Sequence, residues 1–235
     1  MLIDLKNIDY YYLTNNNEKR KAHMENEFIN YNLIEVNPNY LFDPKSSKHK
    51  NSYKSASSGF LKMLDIASKK MGNVFKPFVM LEDDVIKKNN YPDSIEIPDD
   101  CDIFYLGHSK FGLKNSNHSL INAMFITEND TIVKLVSMLA THSIMVCSLK
   151  GLMYMQKCMM SVYYENKPWD KPLASTMHRF NVYTTKEELM FQYGAVGGRQ
   201  SATYNIIFSK EKSLTNASEI PDFIYEIGNN YPLIN

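Results

Sequence analysis

The chain has 235 residues, of which 44% are apolar, enough to form one substantial hydrophobic core. Basic and acidic residues number 26 each, so no overall field attracts an anionic membrane, and extended nucleic-acid binding is not expected. The three cysteines have neither an even count nor zinc-ligand spacing, which favours a reducing, cytoplasmic setting over a disulfide framework. We expect no membrane span, because no apolar run is long enough, and no leader, because acids stand early in the chain.

The first third of the sequence predicts two strands and two helices. Residues 8–13 are short and aromatic and predict a strand, residues 18–29 a helix, and Asn32–Val36 a second strand. The polar stretch 37–54 has no period and predicts a loop. Residues 57–72 predict an amphipathic helix, with serines as candidate N-caps and Gly72 as terminator. Its apolar face consists of Phe60, Leu64, Ala67 and Met71.

Strands and helices continue to alternate in the middle of the chain. Residues 78–81 and 102–107 predict buried strands, joined by a surface connection. Residues 129–140 are compatible with a short helix or a strand, residues 142–148 predict a strand, and residues 149–164 a helix. This alternation predicts an α/β fold with a largely parallel sheet.

Three consecutive acids, Glu82, Asp83 and Asp84, follow the predicted strand 78–81. Ligands of open α/β sheets bind at the carboxyl ends of the strands, where these acids would lie. Adjacent carboxylates repel one another, and a divalent cation is the simplest compensation. Alternation along an extended strand would point Glu82 and Asp84 to one side, as a pair for Mn²⁺ or Mg²⁺, and Asp83 to the other, towards a ribose or sugar hydroxyl. The alternative is a solvated strand end.

The acids belong to the segment FVMLEDDV. YYYLTNNNEKRKAHM and SSGFLKMLDIA precede it, and CDIFYLG, THSIMVCSLKGLMYM, KPWDKPLA and MFQYGAVGGRQSAT follow it. In this order the segments resemble the motifs of glycosyltransferase family 25, the lipooligosaccharide and collagen galactosyltransferase type, over residues 8 to 203. The individual matches include Arg20, Met24, His142, Ser148, Lys150 and Gly151. Thr14 and Asn15 depart from the family's Asp-Arg turn. The chain is also similar to small viral GT-A transferases.

The resemblance implies a single GT-A-like domain over residues 1–235, with a Rossmann-like mixed, mostly parallel sheet flanked by helices. Residues 1–110 would form the nucleotide-sugar-binding half and residues 111–235 the acceptor-side half. The implied activity is metal-dependent transfer of a sugar, with inversion, from a nucleotide-sugar donor of the UDP-sugar type. The acceptor would be a hydroxyl of a glycan, a protein or another molecule. The implied location is the cytoplasm, or the host cytoplasm for a viral protein.

Individual residues receive roles within this interpretation. Glu82 and Asp84 would hold Mn²⁺ or Mg²⁺, with His178 completing the metal or diphosphate site. Asp170 would be the catalytic base, and its alternative is a turn acid between two prolines. The remaining candidates would bind the nucleotide-sugar donor: Thr14, Arg20, Asp83, His142 and Arg199. A structural role is the alternative for His142, and an ordinary glycine turn for the segment around Arg199.

Two other functions remain open from the sequence. A nucleotidyltransferase or nuclease also uses strand-end carboxylates and cations, but it needs a separated acid at the same metals, for which Asp102 is the available residue. A non-catalytic GT-A-like module would bind a nucleotide or glycan without turnover. The intact acids argue against that reading.

Overall fold

The computed structural model describes residues 1–14, 17–38, 48–113, 120–165, 168, 170–192 and 213–220. The elements of the first half are β1 (Leu2–Asp4), β2 (Asp9–Leu13), α1 (Glu18–Glu27), β3 (Asn32–Val36), α2 (Lys48–Met71), β4 (Phe78–Glu82), β5 (Val85–Lys87), β6 (Ser94–Glu96), β7 (Ile103–Tyr105) and β8 (Phe111–Leu113). Those of the second half are β9 (Leu120–Asn122), β10 (Met124–Thr127), β11 (Ile132–Ser137), β12 (Ser143–Val146), α3 (Leu149–Glu165), α4 (Asp170–Thr176), β13 (Val182–Thr185) and β14 (Met190–Gln192). Short 3-10 helices occupy Met177–Arg179 and Ala217–Glu219. Within these residues no helix is both long enough and apolar enough to cross a lipid bilayer.

The centre of the fold is an eight-stranded sheet with the strand order β10-β11-β13-β7-β12-β4-β2-β3. Six of these strands run in one direction, whereas β11 and β12 run in the other, so four of the seven pairings are antiparallel. The predicted α/β class with a mixed sheet and flanking helices is confirmed. The sheet is mostly parallel in strand direction only, because β12 lies between β4 and β7 and pairs antiparallel with both.

Both faces of the sheet are covered, and the strand alternation assigns each side chain to a face. Tyr11 on β2 joins the core formed with α2 and α3, whereas its neighbours Tyr10 and Tyr12 join the core that includes Met24 and Phe28 of the α1 region. The uninterrupted aromatic run of β2 is therefore explained by burial on two sides.

Helix α2 begins at Lys48, so the prediction of a start near Ser57 was wrong. Ser57 is fully buried inside the helix and donates a hydrogen bond to the Met159 carbonyl of α3, so it packs two helices together rather than capping one. Residues 48–54 of the predicted loop are helical, and residues 39–47 lie outside the described ranges. Gly72 ends the helix with φ +63°, as expected of a left-handed terminator.

The parallel strands place several chain ends at one border of the sheet, which we call the carboxyl edge. Leu13 at the end of β2 pairs with Glu82 at the end of β4 and with Val36 at the end of β3. β7 and β13 end at this edge too, because both run parallel to β4. Strand β12 runs the opposite way and begins there. The opposite border, where β4 and β7 begin, is the amino edge.

Candidate functional site

The three acids lie at the carboxyl edge, as the sequence predicted. Glu82 is the last residue of β4, and its backbone N–H donates to the His142 carbonyl at 3.0 Å, which fixes the acids beside the start of β12. The chain then turns at Asp83 and Asp84 before β5. Strand alternation ends at Glu82, so the expectation that Asp83 points away from Asp84 was wrong. Arg20 contacts both carboxylates.

Arg20 comes from the first turn of α1, where the Asn17 side chain accepts hydrogen bonds from the backbone of Lys19 and Arg20. Its guanidinium forms an ion pair with Asp83 and lies 3.5 Å, from Nη2 to Oδ2, from Asp84. Both aspartates are only 4% exposed, so this cation balances part of a buried negative charge. The sequence predicted Arg20 to bind the donor, and in the structure its partners are the acids themselves.

The carboxylate of Glu82 is held at both oxygens. Thr141 Oγ1 donates to Oε1 at 2.8 Å, and the Gln192 amide on β14 donates to Oε2 at 3.1 Å. The pKa of Glu82 is raised to about 7, chiefly by burial and next by the charge of Asp84, against the lowering effect of the Thr141 hydrogen bond. Glu82 therefore carries its proton far more readily than an exposed glutamate.

Asp84 retains an unsatisfied oxygen. Burial raises the pKa of Asp84, although Arg20 and a hydrogen bond from Gln192 lower it. Oδ1 is buried and, among the described residues, has no hydrogen-bond partner. Such an orphaned carboxylate oxygen fits a cation or a ligand donor. Within the same part of the chain no three His, Cys, Asp or Glu side chains converge on a metal position, so Glu82 and Asp84 would need ligand or water oxygens to complete a coordination shell.

Asp170 is the first residue of α4 and is partly exposed. The turn predicted as its alternative is thus a helix start. Its charge raises the pKa of Glu82 and that of Tyr105, the last residue of β7, so its carboxylate acts on the carboxyl edge. Asp170 is therefore the acid outside the triplet that the described structure brings towards Glu82.

His142 is buried, and its ring packs against Gly107. A Cβ at Gly107 would lie 1.9 Å from His142 Nε2, so only glycine admits the imidazole at this position. Burial lowers the pKa of His142 to about 4, and burial together with His142 lowers the pKa of His108 to about 3. Both rings are therefore neutral near pH 7. Thr141, rather than His142, directs its side chain to Glu82.

Of the remaining sequence candidates, Thr14 and His178 lie at different places. Thr14 is buried just beyond β2, where its N–H donates to the Val36 carbonyl at 3.2 Å, close to the acids across β2 and β4. His178 lies in the 3-10 helix that leads into β13, towards the amino edge, and burial lowers its pKa to about 4. The structure therefore does not bring His178 to the acids, because α4 carries the chain away from them. Arg199 lies outside the described residues.

Asp102 lies at the amino edge, far from the triplet along the strands. It accepts hydrogen bonds from Ser148 Oγ at 2.8 Å and from the Asn181 backbone at 3.1 Å, and it pairs with Lys150 Nζ at 2.9 Å. Ser148 and Lys150, which match the family segment, thus attach the start of α3 to β7. Asp102 cannot serve as the second acid of a metal site at the triplet.

The sequence interpretation missed Thr141 and Gln192 as partners of Glu82. Thr141 stands directly before His142 in a segment that had been singled out, so a polar residue at the start of β12 was the available signal. Gln192 is 110 positions from Glu82, and no local pattern indicates such a contact. Comparison with models of protein families and with curated protein sequences finds no match to this chain.

Proposed function

We propose that this protein is a cation-dependent glycosyltransferase that moves a sugar from a nucleotide-sugar donor, of the UDP-sugar type, to a hydroxyl of a glycan, a protein or another acceptor. The observation that carries the proposal is the acid triplet at the carboxyl edge of an α/β sheet, in which Asp83 and Asp84 are buried and one oxygen of Asp84 has no partner among the described residues. The carboxyl edge is where such sheets bind ligands. The motif resemblance to glycosyltransferase family 25 supplies the reaction class.

The charge balance of the site supports a cation. Three consecutive carboxylates lie at the end of β4, the two aspartates among them are buried, and Arg20 is a cation that contacts both aspartates. Burial has already raised the pKa of Glu82 and Asp84, so the cluster is costly in its charged form. Mn²⁺ or Mg²⁺ held by Glu82 and Asp84 would neutralise the charge that develops on the departing nucleotide diphosphate.

We assign the remaining roles to other residues at the carboxyl edge. Asp170 is assigned to remove the proton of the acceptor hydroxyl, because its carboxylate acts on the edge without belonging to the triplet. Inversion would follow from a direct attack by that hydroxyl. Thr14 and Asp83 are assigned to the donor's ribose or sugar hydroxyls, and Arg20 to its phosphates.

Calorimetric titration with UDP, with and without Mn²⁺, tests the proposal. Wild type should bind UDP more tightly with Mn²⁺, and Asp84→Asn should abolish that gain. Asp65→Asn is the matched control, because Asp65 is exposed on α2 and pairs with Lys69, one helical turn away. Binding of UDP that is indifferent to both Mn²⁺ and Asp84 would contradict the proposal.

Turnover then separates transfer from simple binding. Incubation with UDP-glucose and UDP-galactose should release UDP slowly in the presence of Mn²⁺, and Asp170→Asn should reduce the release without loss of UDP binding. Manganese-dependent binding without release from any nucleotide sugar would instead indicate the non-catalytic module. Asp102 lies at the amino edge, away from the acid triplet, where it bonds Ser148 and Lys150. Its position disfavours the nuclease alternative, because a nuclease needs a second acid at the metals.

A further inference from the structure

Arg20 lies beside the carboxylate of Asp84 that a cation would also contact. Its guanidinium contacts Asp83 and reaches Asp84 Oδ2, and its side chain is only 16% exposed. Asp84 Oδ1 is buried and has no hydrogen-bond partner in the part of the chain that the structure describes. Arg20 and an added cation would therefore share one carboxylate, each on one oxygen.

Two cations at one carboxylate repel each other strongly in a site that excludes water. A free divalent cation must therefore either bind more weakly beside the guanidinium or displace the guanidinium from the acids. Displacement breaks the contacts of Arg20 with Asp83 and Asp84, and an anion that enters with the cation would replace them. Arg20 lies in the first turn of α1, where the helix dipole and the guanidinium both favour a phosphate.

We propose that Arg20 makes cation binding conditional on an anionic co-ligand, so that the site accepts a cation and a nucleoside diphosphate together and discriminates against the free cation. In the absence of ligand, Arg20 holds the acids. When the metal complex of the diphosphate enters, Arg20 exchanges carboxylates for phosphate oxygens. The identity of the nucleotide rests on the function proposed above, whereas the masking of the acids by Arg20 does not.

The test is a titration with Mn²⁺, in which the free ion is measured by electron paramagnetic resonance, with and without UDP. In wild type, Mn²⁺ alone should bind weakly, and UDP should tighten its binding. Arg20→Gln should bind Mn²⁺ alone at least roughly tenfold more tightly than wild type, since an adjacent guanidinium shifts carboxylate equilibria by one unit or more. The gain from UDP should shrink in the same variant. Lys21→Gln is the control, because Lys21 pairs with Glu35.

Further variants keep the result decisive. The tighter binding of Mn²⁺ in Arg20→Gln should disappear when Asp84→Asn is added, which assigns the gain to the masked acid. If Arg20→Gln does not fold, as judged by circular dichroism, Arg20→Lys should show a smaller gain, because lysine keeps the charge but loses the two-pronged contact. Unchanged or weaker binding of Mn²⁺ alone in these variants would overturn the inference. If UDP does not bind at all, the proposed function fails, but the titration with Mn²⁺ alone still decides the masking.

Discussion

Glu82 and Asp84 are acids whose charged forms are disfavoured by their removal from water. A protein gains no stability by burying such groups when apolar residues of similar size would pack at less cost. Here two side chains, Thr141 and Gln192, are committed to orienting Glu82 alone. Two side-chain hydrogen bonds that orient one carboxylate are typical of a functional site rather than of a strand end.

The first prediction concerns the hydrogen bond from Thr141. Thr141→Val keeps the side-chain shape but leaves Glu82 Oε1 unsatisfied, so the free energy of unfolding should fall by about 1–3 kcal/mol. Urea denaturation measures the loss. Thr185→Val is the control, since the Thr185 hydroxyl bonds an exposed carbonyl and its removal should cost no more than about 0.5 kcal/mol. Equal losses in the two variants would show that the Thr141 contact is not special.

The second prediction concerns pH and His108. A histidine in an unfolded chain has a pKa of about 6.5, whereas burial lowers the pKa of His108 to about 3. Below pH 6.5 His108 binds a proton in the unfolded state but not in the folded state. The contribution of neutral His108 to the free energy of unfolding is therefore complete above pH 6.5 and is lost as the pH falls. His108→Gln should lose less stability than wild type between pH 7 and pH 5, by about 2 kcal/mol.

Urea titrations at pH 5, 6, 7 and 8 measure this difference. Glu188 titrates in the same range with the opposite sign, because burial, opposed by Lys88, raises its pKa to about 7. It is present in both proteins, so its contribution cancels when wild type and variant are compared. Parallel pH profiles for the two proteins would mean that His108 is not held neutral by the fold.

At the level of elements, the contact between α3 and β7 depends on a glycine. A Cβ at Gly151 would lie 2.0 Å from the Asp102 carbonyl oxygen, a backbone atom that cannot move aside. The same turn contains Ser148, which accepts from the Gly151 N–H and donates to Asp102. The small residue and the serine thus set how closely α3 approaches the sheet.

The third prediction follows from this contact. Gly151→Ala should lower the free energy of unfolding by about 1–3 kcal/mol, although alanine is the better helix former. Gly59→Ala is the comparison within α2, because its new Cβ would first meet a side-chain atom of Leu13, which can rotate away. Thermal denaturation should show the larger loss for Gly151→Ala. A stabilised Gly151→Ala would mean that α3 sits farther from β7 than the structure has it.

The elements differ in how well local sequence predicts them. β2, β3, β4, α1 and α3 were predicted closely, because long apolar or periodic runs define them. The start of α2 was missed because residues 48–54 are polar, and that part of the helix lacks an apolar period of its own. The short strands β5 and β14 pair with each other, and three residues carry too little pattern to indicate a partner about a hundred positions away.

For the molecule as a whole, the sequence predicted where the acids lie but not what surrounds them. Their position follows from one buried strand and the general rule for ligands in α/β sheets. The contacts of Glu82 with Thr141 and Gln192 depend on β12 and β14, whose placement is a tertiary result. The course of α4 likewise separates Asp170, whose charge raises the pKa of Glu82, from His178, which lies near the start of β13, and no spacing between the two residues indicates it.

The most direct test of the account is a crystal grown with MnCl₂ and UDP, with anomalous diffraction recorded at the manganese absorption edge. We predict an anomalous peak between the carboxylates of Glu82 and Asp84, with the UDP diphosphate in contact with it and with Arg20. A crystal in which UDP and the manganese peak lie elsewhere, with Arg20 still paired to Asp83 and Asp84, would contradict it.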